Sequence, residues 1–283
     1  MWIGSPLRGA FRLLSYLLLT LAVLPFHLAA LALRLTPVVR WLPVAYHRMV
    51  CIILGIKVKV NGRRSTAMPT LFVCNHVSYL DIEVLGSSIP GCFVAKAEVA
   101  TWPFFSTLAK AQRTIFVDRR SSKTSNSRDE MLKRLDTGDN LMLFPEGTSS
   151  DGTRVLPFRS ALFAVAQLRR DDRPIVVQPV AISYTRLDGI PLGRYWRPLF
   201  AWFGDLDLVP HLWQMVCLGE TEAVVTFFPP VDIDRLGDRK KLAEYCFLQV
   251  SAGVQAANSG RPELLPSLEM PALDLALDPA SRP

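Results

Sequence analysis

Two short stretches carry side chains whose types and spacing fit proton transfer and anion recognition. The first is Asn75-His76-Val77-Ser78-Tyr79-Leu80-Asp81. A histidine can take a hydroxyl proton near neutral pH. A carboxylate on its other ring nitrogen sets the tautomer and steadies the imidazolium that forms. His76 and Asp81 stand in that relation if the segment is a loop entering a helix. The same residues also read as a capping box, Ser78-x-x-Asp81, with Ser78 as N-cap and Asp81 as an ordinary first-turn acid. Spacing alone leaves both readings open.

The second stretch is Phe144-Pro145-Glu146-Gly147-Thr148-Ser149-Ser150-Asp151-Gly152. One Pro and two Gly force an irregular turn, whose N–H groups and hydroxyls can face an anion. By itself it reads equally as a polar surface turn. A third segment, Thr114–Val117 followed by Asp118-Arg119-Arg120, ends an apolar run in paired arginines. Arginine suits bidentate phosphate recognition, and a solvated charge pair is the plainer alternative. Several other chemistries find no support. There is no G-x-S-x-G, no G-x-x-x-x-G-K-[ST] and no G-x-G-x-x-G. The four histidines are scattered and no metal site is expected.

These segments need rigid elements to position them. Ile56–Val60 alternates and ends at Asn61-Gly62, a strand and turn. Further strands are expected at 71–74, 92–95, 114–117, 140–144, 175–182 and 223–228. Helices are expected near 79–86, 97–109, 126–136, 159–169 and 238–257. Short strands separated by helices indicate a layered α/β domain. It is expected over residues 56–260, followed by a Pro-rich, mobile tail at 261–283.

Residues 1–55 differ. Leu13 to Leu33 contains no charged residue, and Val38 to Leu54 is a second apolar stretch. The first is long enough to cross a bilayer, though Pro25 and His27 interrupt it. A buried core helix and a cleaved signal peptide are the alternatives. The preferred reading is an uncleaved membrane anchor with a second membrane-associated helix ending at Gly55. Charge agrees. Residues 1–64 hold nine Lys/Arg and no acid, while the remaining 23 bases face 25 acids. Bases interleaved with Leu, Val and Trp fit an anionic membrane surface rather than nucleic acid. The flanking charges lean towards a cytoplasmic main domain. Trp102-Pro103-Phe104-Phe105 reads either as a second interfacial contact or as core. Five cysteines, an odd number without a C-x-x-C, argue for free buried thiols.

Taken together, the clusters resemble the lysophosphatidic acid acyltransferase family of PlsC type. Asn75-His76-x-Ser78-x-x-Asp81 resembles its H-x4-D motif, and Ile115-Phe116-Val117-Asp118-Arg119 its second motif. Phe144-Pro145-Glu146-Gly147-Thr148 resembles the third, and Val177-Gln178-Pro179-Val180-Ala181 the fourth. The order and gaps also fit. The resemblance implies a mixed β-sheet flanked by helices, behind an N-terminal membrane-associated helical segment. It implies His76 and Asp81 as the catalytic pair. Asn75, Ser78, Arg119, Glu146, Gly147, Thr148 and Arg159 would serve substrate binding. No cofactor is implied beyond the co-substrate, acyl-carrier protein or acyl-CoA, and the location implied is the bacterial inner membrane. The reaction implied is acylation of the free hydroxyl of a lysolipid, 1-acyl-sn-glycerol-3-phosphate in the family at large.

Three departures stand out. Arg113 stands where the second motif usually begins with Gly. Ser149 stands where many members have Arg. Ser160-Ala161 follow Pro157-Phe158-Arg159 where a Gly is common. Losing the Arg after Thr148 removes a phosphate ligand. The run FPEGTSSDGTRVLPFRSAL resembles enzymes that acylate lyso-ornithine lipid, a phosphate-free acceptor. Rival readings are a non-catalytic lipid-binding membrane protein, which has no need of a general base, and a thioester hydrolase.

Overall fold

The computed structural model describes residues 4–117, 124–170, 172–261 and 265, with the backbone alone over 124–128. Two long helices come first, α1 (Pro6–Ala32) and α2 (Thr36–Leu54). Ser5 caps α1 by accepting from the Arg8 N–H, and Pro6 occupies the first turn, where no N–H is required. α2 ends at Gly55 with φ 71°, a left-handed conformation open to glycine. Both helices leave large apolar side chains exposed, among them Leu7, Phe11, Leu21 and Phe26 on α1 and Trp41 and Ile52 on α2.

The chain continues through β1 (Ile56–Asn61), β2 (Thr70–Cys74), α3 (Leu80–Gly86), β3 (Cys92–Lys96), α4 (Phe105–Ala111), β4 (Ile115–Val117), α5 (Thr124–Asp136) and β5 (Leu141–Leu143). A small hairpin, β6 (Arg169–Arg170) and β7 (Arg173–Pro174), leads into the long strand β8 (Val176–Leu187) and its partner β9 (Ile190–Pro191). Then come α6 (Leu208–Cys217), β10 (Thr221–Phe227), α7 (Ile233–Leu236) and α8 (Arg239–Ser259). Eight strands form one sheet in the order β1-β10-β8-β2-β5-β3-β4, with β9 added to β8. β8, β2, β5, β3 and β4 are mutually parallel, whereas β10 runs antiparallel to β8 and β1 lies parallel to β10. The sheet is mixed, as the resemblance implies.

β2 is buried along its whole length, as a strand covered on both faces should be. Alternation divides it. Phe72 and Cys74 join the core under α3 with Met142, Val180 and Ile182. Leu71 and Val73 join a second core with Leu135, Phe163, Leu242 and Cys246. Full burial of each such Val, Leu, Ile, Met or Phe side chain contributes about 1.5–3 kcal/mol. All five cysteines are free and buried.

Several expectations are corrected. The helix expected over 97–109 is broken into a 3-10 turn, Ala97–Thr101, and α4, because Pro103 and Phe104, at φ 64°, interrupt the helical path. Residues 160–167 form a 3-10 helix rather than an α-helix. The strand expected at 175–182 runs on to Leu187. α6 was not anticipated. Asp207 at its N-cap makes no side-chain cap bond, and α6 is held instead by packing along α1. Trp102 packs edge-on against Trp202, and Phe104 edge-on against Tyr16 of α1 while staying 43% exposed. Apart from Arg261 and Leu265, the tail lies outside the described residues, as does Arg119.

Candidate active site

The site forms where β2 stops. Asn75 ends the strand by donating from Nδ2 to the Ile182 carbonyl at 3.0 Å and accepting the Ile182 N–H at 2.8 Å. Its side chain thus acts as a further rung of the β2–β8 ladder and holds the next residue, His76, at the sheet's C-terminal edge. His76 Nδ1 lies 2.8 Å from Asp81 Oδ2. The His76 side chain is 23% exposed and that of Asp81 is 0% exposed, so the imidazole alone faces outwards. Its ring stacks on Phe144, with centroids 4.2 Å apart. His76 Nε2 has no partner among the described residues.

Asp81 meets four donors. Oδ2 accepts from the Val77 and Ser78 N–H groups at 2.7 and 3.0 Å as well as from His76, and Oδ1 accepts the Tyr184 O–H at 2.9 Å. A carboxylate so held keeps the proton of His76 on Nδ1 and leaves Nε2 as the acceptor. Half of the capping box is therefore present: Asp81 reaches back to the Ser78 N–H. The other half is not, because the buried Ser78 Oγ has no partner among the described residues and α3 begins at Leu80. Asp81 thus holds the start of the helix and binds His76 with the same carboxylate.

Glu146 joins the two loops. It is 2% exposed, and it accepts the His76 N–H on Oε1 at 2.7 Å and the Leu156 N–H on Oε2 at 2.8 Å. Burial pushes its carboxyl up to about 8, against the pull of those two N–H groups, and the nearby Asp81 adds to the rise. The Ser150 N–H donates back to the His76 carbonyl at 2.8 Å. Gly147 takes φ 73° in the turn between them. Thr148 is half-buried beside it, and Arg159, whose N–H binds the Pro145 carbonyl, is exposed at the loop's far end. Ser149, in the place of the usual Arg, donates its hydroxyl to the Trp202 carbonyl at 2.5 Å.

The sign of the Glu146 effect on stability follows from its raised value. Between about 4.5 and 8 the unfolded chain ionises freely while the folded one keeps its proton. Glu146 therefore favours the fold at the acid end, and this contribution is lost as pH rises to about 8. Thermal unfolding from pH 5 to 8 should show a falling midpoint that Glu146→Gln flattens. An identical slope in both proteins would count against the buried acid.

Beside the dyad, α1, α2, α3, α4 and α6 enclose an apolar cavity of about 300 Å³. Phe93 and Tyr79 line its end near the dyad, and Phe93 stacks on Phe144. Leu24, Leu108 and Leu212 line its body.

Comparison with known proteins bears directly on this geometry. The model of the Acyltransferase family matches residues 56–183, the interval that holds His76, Asp81, Glu146 and Arg159. A lyso-ornithine lipid O-acyltransferase from Rhizobium meliloti (strain 1021) is 42% identical over 246 residues, 86% of this chain and 82% of that protein. The chain belongs to the PlsC-type acyltransferase family. A 1-acyl-sn-glycerol-3-phosphate acyltransferase from Neisseria gonorrhoeae is 31% identical over 194 residues, 68% of this chain and 71% of its own length. The crystal structure of the 1-acyl-sn-glycerophosphate (LPA) acyltransferase PlsC from Thermotoga maritima shares the fold. Its TM-score is 0.54 at 21% identity, covering 86% of this chain and 96% of that one.

In this acyltransferase the unusual Arg113 has a structural account. Its φ is 60°, the left-handed region where the family's usual Gly is at ease. A bidentate pair with Asp139, at 2.6 and 3.0 Å, holds the arginine there. Sequence reasoning missed Tyr184. It continues the face of β8 that carries Val180 and Ile182, so only the β2–β8 pairing reveals that its hydroxyl meets Asp81.

Proposed function

We propose that this acyltransferase transfers a fatty acyl group from a phosphopantetheine thioester, on acyl-carrier protein or coenzyme A, to the free hydroxyl of lyso-ornithine lipid. The observation that carries the acceptor assignment is the 42% identity to lyso-ornithine lipid O-acyltransferases over 86% of the chain. Ser149 supports it, since its hydroxyl is engaged by Trp202 and offers no cation to a phosphate.

The chemistry follows from the free Nε2 of His76. The acceptor O–H proton moves to Nε2 while the oxygen's electron pair forms the new C–O bond at the thioester carbonyl. The tetrahedral oxyanion collapses, the C–S bond breaks, and the proton passes from Nε2 to the leaving sulfur. Asp81 stabilises the intervening imidazolium. The apolar cavity, reached past Phe93 and Tyr79, holds an acyl chain.

The N-terminal helices lie along one leaflet of the inner membrane, with the domain on the cytoplasmic side. α1 is tied to the domain near both ends. Arg12 donates to the Leu218 and Gly219 carbonyls at 2.7 and 3.3 Å, and His27 Nε2 lies 3.0 Å from the Ala111 carbonyl. A helix tied at both ends to one globular body does not carry either end across a bilayer. Cysteine introduced at Arg34, between the two helices, should therefore resist an impermeant thiol reagent in intact cells and react after lysis. Labelling in intact cells would show that the hairpin crosses.

The test of function is acyl transfer from labelled acyl-carrier protein by membranes containing the protein, with lyso-ornithine lipid and lysophosphatidic acid side by side. Preference for lyso-ornithine lipid is expected. Preference for lysophosphatidic acid would overturn the acceptor assignment.

A further inference from the structure

A second cleft lies away from the dyad. Thr153, Arg154, Arg197 and the C-terminal half of α8 line an open cleft of about 520 Å³. Three buried polar atoms of its lining residues have no partner among the described residues: Arg197 Nε, Ser251 Oγ and Asn258 Oδ1. Buried polar atoms in native folds are almost always paired; here Arg197 Nε and Ser251 Oγ are donors in need of an acceptor, while Asn258 Oδ1 is an acceptor in need of a donor. They are also held in place. Arg197 Nη2 donates to the Asn258 carbonyl, and Asn258 Nδ2 donates to the Gly152 carbonyl.

The cleft is cationic. Arg154 stands exposed at its rim, and Arg194 is close enough to Arg197 and Asp151 to act on both. Asp151 is the acid nearby, and its Oδ1 is engaged by the Thr153 N–H and hydroxyl. The carbonyl end of α8 does not cancel this charge, because the Ala256 and Ala257 carbonyls accept from Arg261 and Gly260 and Arg197 takes that of Asn258. Arginine Nε–H and a serine hydroxyl are donors suited to phosphate oxygens.

Position narrows the source. The loop 150–154 is a shared wall: Ser150 binds the His76 carbonyl, and Gly152 lies against Val77. No α1 or α2 residue lines this cleft, whereas both line the apolar cavity. A ligand reaches it from water rather than from the lipid-facing helices. We propose that this cleft binds the phosphate of the acyl donor's phosphopantetheine arm, leaving the thioester to reach His76 around the loop. The proposal rests on the donor assignment above. Carrier protein and coenzyme A both supply this phosphate.

The experiment compares acyl-4′-phosphopantetheine with acyl-pantetheine of the same chain as donors to the full-length enzyme in vesicles. The phosphorylated donor is expected to show a KM about tenfold lower. Ser251→Ala and Arg154→Gln should each shrink that ratio several-fold without changing the acceptor KM. Ser251→Ala removes an unpartnered buried hydroxyl, so its melting temperature should hold or rise, which separates binding from folding. Equal KM values for the two donors in the unaltered enzyme would overturn the proposal, as would a ratio that survives both substitutions. With acyl-CoA and acyl-carrier protein as donors, both should weaken in Ser251→Ala; loss confined to the carrier protein would mean protein docking and overturn the phosphate site. Calorimetric binding of 4′-phosphopantetheine itself needs no turnover. It tests the cleft even if the acceptor assignment fails.

Discussion

Alanine at position 76 is expected to lower kcat about 10³-fold with little change in thermal stability or membrane recovery. The imidazole is the outward-facing member of the pair, and in the proposed reaction its Nε2 takes the acceptor's proton. General base catalysis contributes about 10²–10⁴-fold, and the remaining rate enhancement from positioning should survive. The ring lies on Phe144 at the surface of the site rather than within the core, so its loss leaves a small gap. Single-turnover acyl transfer with both substrates saturating is the measurement. Residual activity within tenfold of the unaltered enzyme would remove His76 as the base and favour a lipid-binding or water-driven reading.

Asparagine at position 81 should be worse for the fold and nearly as damaging for turnover. Asp81 accepts from two backbone N–H groups, His76 and Tyr184. An amide offers one acceptor oxygen and turns an NH2 group towards donors. With its oxygen towards the two N–H groups and His76, the amide turns its NH2 to the Tyr184 hydroxyl, which must reverse from donor to acceptor, and every bond to the lost charge weakens, costing about 1–3 kcal/mol. The His76 tautomer is no longer enforced, so kcat should fall about 10³-fold. Tyr184→Phe separates the two effects. It removes one donor to Oδ1 and leaves the His76 contact intact, so it should lower stability by about 1 kcal/mol with a much smaller loss of kcat. Denaturant unfolding paired with kinetics on the three variants checks this ordering. Equal kcat losses in Tyr184→Phe and Asp81→Asn would place the role of Asp81 in folding alone. Combining His76→Ala with Asp81→Asn should add little further loss of kcat, because the pair acts as a unit.

Strands with clear apolar runs were legible, and their ends were close: the expected 71–74 is Thr70–Cys74, and 92–95 is Cys92–Lys96. The helix at 126–136 was legible by period and is Thr124–Asp136. The helix at 97–109 was misread because apolar spacing continues through Trp102-Pro103-Phe104 while the backbone does not. α6 escaped because it carries no side-chain cap and depends on α1 for its stability. Expected site residues separate in space. Asn75 serves the β2–β8 ladder, His76 and Asp81 meet, Glu146 braces the His76 backbone, and Arg159 stands outside at the loop's exposed end.

The amino-acid sequence by itself determined the strand-to-loop entry at Asn75-His76, the five-residue step to Asp81 and the turn at Pro145-Glu146-Gly147. These are local: chain stiffness, glycine's freedom and helical spacing bring them about within a few residues. It also determined the apolar, acid-free N-terminal quarter. Only the tertiary structure decided which groups complete the site. Tyr184 reaches Asp81 because β8 pairs beside β2 across more than a hundred residues of chain. Glu146 reaches the His76 N–H because β5 lies on the other side of β2. Sheet order is set by which apolar faces can be buried together, and no local spacing encodes it.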